Sequence, residues 1–346
     1  MTRYNTFTLP KRTKRLIVSL VILLECMLVS TLSGQQKLAQ AGMKFLSVGA
    51  DARAVALGDA YTAVEGNASM LFYNPAGVAR LSGLASVMIG QVQWIAEINH
   101  FFVGVAFSPF NAEYGVIGVF AQTVDYGALQ GTVRADNAKG YMDTGDFSPR
   151  GTAIGLAYAR ALSDKFSVGG CVKYVRQNLG QAATGLGSDG SLVMDEDVTN
   201  LYAFDFGITY RTGFKSLALG MVVRNFSKEA QFKSEGFQLP LTFRIGVAMN
   251  VADVLPLDPN VHALRLSLDA EHPRDYPEQV KIGLEYTFMN ILSLRAGHVG
   301  PADEQSMSYG VGLQKGFGTA GIGVDYAYTP FGIFGNVQRF SFQFWL

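Results

Sequence analysis

The chain has 346 residues, of which 49% are hydrophobic, only 16% are charged and 39 are Gly. That charge content is well below the about 25% of a typical soluble domain. Basic and acidic residues balance at 28 each, so nothing calls for a nucleic-acid partner, which needs a concentrated basic face.

The first element is a leader. Lys11, Arg12, Lys14 and Arg15 precede an apolar run from Leu16 to Leu32, the basic region and hydrophobic core of a secretory signal. A single spanning helix is the alternative, and Glu25 within the run and the small polar stretch Thr31-Leu32-Ser33-Gly34 argue for cleavage near Ser33 instead. Ala39-Gln40-Ala41 is a second small-residue site, far from the apolar core. Removing residues 1–33 takes away five basic residues and one acid, leaving 23 basic against 27 acidic and a net charge of −4. Cys26 leaves with the leader, and its neighbours Leu24-Glu25 do not suit lipid attachment. Cys171 then stands alone, so no internal disulfide forms.

Residues 34–83 come next, and 42–83 do not alternate. Within them 51–64, DARAVALGDAYTAV, is Ala-rich, with Val55, Ala56, Ala60 and Ala63 spaced for one face of a helix. Gly58 costs about 1 kcal/mol of helix propensity, so one helix and two short ones are both expected. Further on, LFYNPAGVAR reads as a helix end and turn. Pro75 removes a donor and pushes Asn74 out of the helical region, so a helix reaching Phe72 stops there. Asn74 is placed to accept from the backbone two residues on, and Gly77 to supply a positive φ.

From Leu84 to Leu346 the period is two. Phe101, Val103, Val105 and Phe107 oppose His100, Gly104 and Ala106. Tyr202, Phe204, Phe206, Ile208 and Tyr210 oppose Asp205, Gly207, Thr209 and Arg211. Leu239, Leu241, Phe243, Ile245, Val247 and Met249 are set against Thr242, Arg244, Gly246 and Asn250. Val280, Ile282, Leu284, Tyr286 and Phe288 alternate with Lys281, Gly283, Glu285 and Thr287. Small residues and the charge pairs Arg265/Asp269 and Lys281/Glu285 on the second face suit either the water side of a soluble sandwich or the lumen of a membrane barrel. Periodicity alone leaves both open.

Loop lengths decide between them. Fourteen strand-like segments are read near 84–95, 98–108, 114–125, 150–161, 165–179, 199–212, 215–226, 239–251, 262–271, 279–289, 291–299, 306–315, 319–328 and 337–346. Spanning strands need about 9–11 residues. Long polar loops at 126–149, 180–198 and 227–238 follow odd-numbered segments. Tight turns at Ser163-Asp164, Thr212-Gly213, Met289-Asn290 and Lys315-Gly316 follow even ones. That asymmetry belongs to outer-membrane barrels. The connection 252–260, with Pro256 and Pro259, is longer than the rule wants. No other apolar run reaches the ~20 residues of a spanning helix, so a closed barrel is the remaining way across a bilayer. Phe340, Phe342, Phe344 and Leu346 share one face of the final strand, resembling the C-terminal signature that barrel assembly machinery reads. Tyr326, Tyr328, Phe331 and Phe334 are candidates for an aromatic girdle.

The run FLSVGADARAVALGDAYTAVEGNASMLFYNPAGVARL, residues 45–81, resembles the N-terminal region of the PorV/PorQ family of bacterial outer-membrane proteins. The matching elements are Phe45-Leu46, Gly49 with Ala52-Arg53-Ala54, Leu57-Gly58-Asp59-Ala60, Asn67-Ala68-Ser69 and Tyr73-Asn74-Pro75-Ala76-Gly77; Leu239 to Gly246 is similar to a pattern at a central strand. The resemblance implies an all-β, antiparallel transmembrane barrel of about 14 strands at 84–346. Residues 34–83 would be tucked into its lumen as a helical hatch, related in architecture to FadL-type fatty-acid transporters. Asn74 and Pro75 would lie near that hatch. Asp51, Arg53 and Asp59 would then face lumen charges such as Arg244, Lys281 or Glu285, since a buried charge is tolerable only when paired.

Catalytic and metal chemistry is not legible. His100, His262, His272 and His298 are scattered, and no nucleophile elbow, phosphate loop or paired-Cys motif occurs. The stretch 189–197, DGSLVMDED, lacks the ligand alternation of a calcium loop and reads as a solvated acidic loop. No enzyme activity, cofactor or metal is expected. The expected partners are outer-membrane lipid and the barrel assembly machinery, together with either secreted proteins and subunits of a type IX-like secretion system or a hydrophobic small molecule. The residues leave export and transport both open.

Overall fold

The computed structural model describes residues 41–346 apart from Ser234, Asp303 and Glu304; the expected leader, 1–33, lies outside them. Residues 42–83 form four short pieces: a 3-10 turn at Lys44–Ser47, the helix α1 at Ala52–Ala56, and 3-10 turns at Ala68–Phe72 and Pro75–Arg80. The strands follow: β1 Ala85–Gln93, β2 Asn99–Phe107, β3 Val116–Asp125, β4 Leu129–Arg134, β5 Tyr141–Phe147 and β6 Arg150–Ala161. Then come β7 Phe166–Leu186, β8 Leu192–Arg211, β9 Ala218–Phe226, β10 Ala230–Phe232, β11 Glu235–Phe237 and β12 Thr242–Asn250. The last are β13 His262–Pro273, β14 Gln279–Phe288, β15 Leu292–Gly300, β16 Met307–Phe317, β17 Ala320–Pro330 and β18 Asn336–Trp345.

Fourteen of these close into one antiparallel barrel, in the order β1-β2-β3-β6-β7-β8-β9-β12-β13-β14-β15-β16-β17-β18 and back to β1. The seam runs from Ser86 opposite Trp345 to Gln93 opposite Gln338, and the carboxy-terminal Leu346 accepts from Leu84 N at 2.5 Å. The four strands outside the barrel pair as hairpins, β4 with β5 and β10 with β11, within what the sequence presents as long loops. The third long loop, 180–198, is mostly the outward extension of β7 and β8. Alternation in these segments is too short or too polar to show in the sequence.

Which face meets what settles the medium. Outward residues are large, apolar and exposed, such as Phe206 at 56%, Leu156 at 55% and Leu313 at 58%. Inward residues include Lys173, Asp205, Arg244, Asp269, Lys281, Glu285, Arg295 and Arg339, all buried. A sheet with its oil outside and its charges enclosed is inverted relative to a soluble protein and matches a barrel in lipid. No described helix is long and apolar enough to cross a membrane. All backbone pairing in the barrel is between strands, as hydrocarbon requires.

Some expectations need correction. The strand expected from 239 begins at Thr242, because Pro240 brings no donor to a ladder and Leu241 N turns back onto Leu239 O at 2.7 Å. Leu239 therefore points into the protein, in a buried cluster with Met43, Phe45 and Leu46, not toward lipid. Lys315 and Gly316 lie within β16, and the turn falls at Gly318, whose φ is +67°. Of the helix expected over 51–64 only α1 forms, since Gly58 and Asp59 both take positive φ. Phe331 turns inward onto Trp94, 5.4 Å between ring centroids, and so leaves the outer aromatic face.

Residues 42–83 occupy the barrel interior, where the wall is notched by Gly. Gly283 and Gly297 stand against the backbone of Leu57 and Gly58, leaving no room for a Cβ. A Gly297→Ala substitution should destabilise the folded barrel by about 1–3 kcal/mol through overpacking. Gly316→Ala, whose Cβ meets open space, should change nothing. Urea midpoints read from heat-modifiable gel mobility check this; equal midpoints for the two variants would refute the close fit.

Candidate functional site

The interior segment runs the length of the barrel. Gly42 N donates to Gln238 O at 3.0 Å at the end carrying the long loops. Arg80 reaches Ser163 O, 2.7 Å, and Ser167 Oγ, 3.1 Å, at the end carrying the tight turns. Local turns meet many of its backbone donors, and the wall meets others: Ala52 N by Ser341 Oγ at 2.7 Å, Ala68 N by Ser86 Oγ at 3.1 Å, and Tyr61 N and Thr62 N both by Asp269 Oδ2, at 3.1 and 3.0 Å. Buried backbone groups need partners, and here wall side chains supply those that the short turns leave open.

The expected site residues fall as follows. Asp51 caps α1 by accepting from Arg53 N at 3.0 Å and receives Gln343 Nε2 at 3.4 Å. Arg53 forks onto Glu285, 2.7 and 2.8 Å, the two-point geometry that suits guanidinium and carboxylate. Asp59 Oδ1 is buried without a hydrogen-bond partner among the described residues. Asn74 accepts from Ala76 N at 3.1 Å, capping the turn that Pro75 opens, and its amide donates to Thr62 O and Ile208 O at 2.9 and 3.1 Å. Asn74 thereby ties two parts of the segment to β8. Gly77 does not take a positive φ; its place follows from crowding by Met70 and Val64 O, which leaves no space for a side chain.

The wall charges form networks that the sequence alone did not reveal. Glu285 receives Arg295 at 2.6 Å as well as Arg53, and Arg295 also reaches Asp325 at 2.6 Å. Arg244 and Lys281 converge on Glu271, Arg244 at 3.2 Å, instead of on the interior segment. Lys173 pairs with Asp205 at 2.8 Å and donates to Asn225 at 2.5 Å. The pairings expected along one strand, Arg265 with Asp269 and Lys281 with Glu285, are absent. Four residues along a strand separate side chains by about 13 Å, so partners come from neighbouring strands. The cavity left beside Arg53, Arg295, Asp325 and Gln343 is about 10 Å³, at the lower limit for a single water.

The long-loop end is built up on one side. β7 and β8 have 21 and 20 residues, against 9–12 in the other barrel strands. Thr199 Oγ1 donates to Gln231 O at 2.9 Å, and Lys233 pairs with Asp195 at 2.7 Å, so the β10–β11 hairpin leans on β8. At the tip Ser191 donates through its hydroxyl and its amide to Asp189, holding that carboxyl below its usual range. Leu186, Leu192, Val193 and Met194 are exposed there. No three His, Cys, Asp or Glu side chains among the described residues are grouped to hold a metal ion.

The family model described as type IX secretion system protein PorV matches residues 32–256, about two-thirds of the chain. The chain belongs to the PorV family. As a PorV-family protein it is a bacterial outer-membrane β-barrel. Comparison with curated proteins gives no match. Among solved structures, the toluene transporter TodX of Pseudomonas putida is 12% identical with a TM-score of 0.55, covering 90% of this chain and 98% of that one. The toluene transporter TbuX of Ralstonia pickettii is 11% identical, TM-score 0.52, over 86% and 97%. A FadL homologue of Pseudomonas aeruginosa is 9% identical, TM-score 0.50, over 82% and 95%. At such identities the likeness is one of fold.

Arg53→Glu sets two carboxylates face to face and should destabilise the PorV-family barrel by about 3–5 kcal/mol, the cost of an uncompensated buried charge. Arg53→Met should cost visibly less, because Arg295 still holds Glu285. Unfolding midpoints of both variants in detergent test the order, and a Glu variant as stable as the native protein would remove Arg53 from any anchoring role.

Proposed function

We propose that this protein serves type IX secretion as a holding platform: its long-loop face retains secreted proteins at the cell surface, while residues 34–83 act as a hatch that keeps the barrel shut. The observation that carries this reading is the β7–β8 hairpin. It continues eight residues past Asn178, the last β7 residue paired with β6, to Leu186. At ~3.3 Å per residue that is about 26 Å. An apolar tip raised that far stands clear of lipid, and exposed apolar surface in water marks an interaction site.

The filled lumen supports docking over passage. A channel for hydrophobic small molecules, the other expectation, requires a path through residues that are ion-paired to the wall and closely fitted to its glycines. The platform has no need of catalysis, and the protein acts as a binding component. The outward Phe340, Phe342 and Phe344 of the closing strand support delivery by barrel assembly machinery.

Affinity-tagged full-length protein should copurify secreted proteins or secretion subunits from outer membranes, and be electrically silent in planar bilayers. Leu192→Ser/Met194→Ser should lower that recovery at least about fivefold, the weight of one to two kcal/mol at a hot spot. Undiminished recovery sinks the hairpin-tip assignment. Copurified hydrocarbon or fatty acid, with uptake lost on deletion of the protein, would establish the channel instead.

A further inference from the structure

The opposite mouth holds a second candidate site, independent of the loop-face reading. A cavity of about 490 Å³ opens at the end bearing the tight turns and the chain terminus, the periplasmic side of an outer-membrane barrel. Its volume falls in the about 300–1,000 Å³ range of ligand pockets. One wall is the interior segment at Val64 and Glu65; the rest comes from the β6–β7 and β8–β9 turns and the ends of β12 and β13.

Four cations border it: Lys165, Arg211, Lys215 and Arg265. Two acids stand among them: Asp164, next to Lys165 in the β6–β7 turn, and Glu65, which is already committed, accepting from Arg211 and from Thr209 at 2.7 Å each, with Arg80 at 3.6 Å, so four cations face two carboxylates. Arg265 reaches Glu285 only at 3.8 Å, and that carboxylate is held more closely by Arg53 and Arg295. No ion pair to Lys165 or Lys215 forms among the described residues. The cleft thus carries positive charge in excess of what the chain neutralises.

The distribution of that charge selects the ligand. The cations stand on separate turns and strands, and apolar surface from Val64 and Met249 lies among them. A single phosphate has one centre of charge and no use for the apolar part. An extended peptide bearing several carboxylates and apolar side chains meets both, and Arg and Lys on separate elements give each carboxylate its own partner.

We infer that the periplasmic mouth is a docking cleft for an acidic, partly apolar peptide segment of a periplasmic protein. The protein therefore has a partner on each side of the membrane, a cargo at the loops and an acidic chain below.

The test uses the full-length protein in detergent and a fluorescent Glu/Leu peptide, with its Gln/Leu counterpart and inorganic phosphate as comparisons. The Glu/Leu peptide should bind, weaken with salt, and lose at least about tenfold in affinity on Lys165→Glu/Lys215→Glu. Lys165→Arg/Lys215→Arg should retain binding, as should Lys139→Glu in the β4–β5 turn at the other end. Heat-modifiable mobility reports that each variant is folded. Equal binding of the Gln/Leu peptide, or unchanged affinity in the double Glu variant, overturns the inference. So does displacement by phosphate as effective as by unlabelled peptide, which would mark a small-anion site. Recovery of secreted proteins at the loops is read separately, so failure of either site leaves the other standing.

Discussion

Closure of the sheet in hydrocarbon is the constraint from which the rest follows. A strand in lipid has no water to satisfy its backbone, so every ladder must find a partner and the last strand must return to the first. Here the return is made by β18 on β1, and the chain's final carbonyl receives the amides that open the barrel, Leu84 and Ala85. Closure fixes parity: the large exposed apolar side chains of the strands face out, and their buried charges are turned inward. The interior is then a polar space that must be filled by water or by protein. In this protein it is filled by the chain's own residues 42–83.

Filling by chain in place of water shapes both surfaces. A helix would satisfy its own backbone but presents a smooth cylinder; this segment makes one five-residue α-helix and a series of short turns, and side chains of Asp269, Ser341, Ser86 and Asn74 complete its hydrogen bonding. The wall answers with glycines where the segment's backbone comes closest, as at Gly169 beneath Pro75 and Ala76. Several inward charges receive partners from adjacent strands or from the segment itself, with Glu285 receiving cations from both, while Arg339 is held by the Thr329 hydroxyl and the Trp94 ring. Barrel and interior segment are one packing problem, and Asn74 is its clearest single part, since it caps a turn, holds Thr62 and holds β8.

Much of this was legible from periodicity, because a barrel in lipid imposes the same alternation on every strand. Leu239 shows the limit: it continues an alternating run in the sequence, but Pro240 breaks the ladder, the strand begins only at Thr242, and the Leu239 side chain turns inward. Charge partners were less legible for a geometric reason. The sequence shows neighbours along a strand, about 13 Å apart at four residues, whereas Glu271 meets Arg244 and Lys281 only through the register of β12, β13 and β14. Gly77 was read as a turn glycine, yet it is small because Met70 and Val64 crowd it, a contact no local pattern carries. The 126–149 and 227–238 loops looked shapeless because their hairpins pack on β7 and β8 and not on a hydrophobic face of their own.

The two ends of the lumen are unlike, and the difference bears on how such a barrel can work. At the loop end Met43, Phe45, Leu46 and Leu239 form a dry cluster; at the other end the cleft stands open. Along its whole length, Leu46, Val55, Leu57, Tyr61, Met70, Leu71 and Val78 of the interior segment are fully buried. At about 1.5–3 kcal/mol for each such side chain, drawing the segment out into water costs more than about 10 kcal/mol before any ion pair is broken. Thermal motion does not supply that, so the segment stays packed in the lumen. Anything that displaced it would have to replace those contacts with its own. Surfaces at the two mouths, by contrast, are accessible without displacing anything, so contact at the ends costs this architecture the least energy.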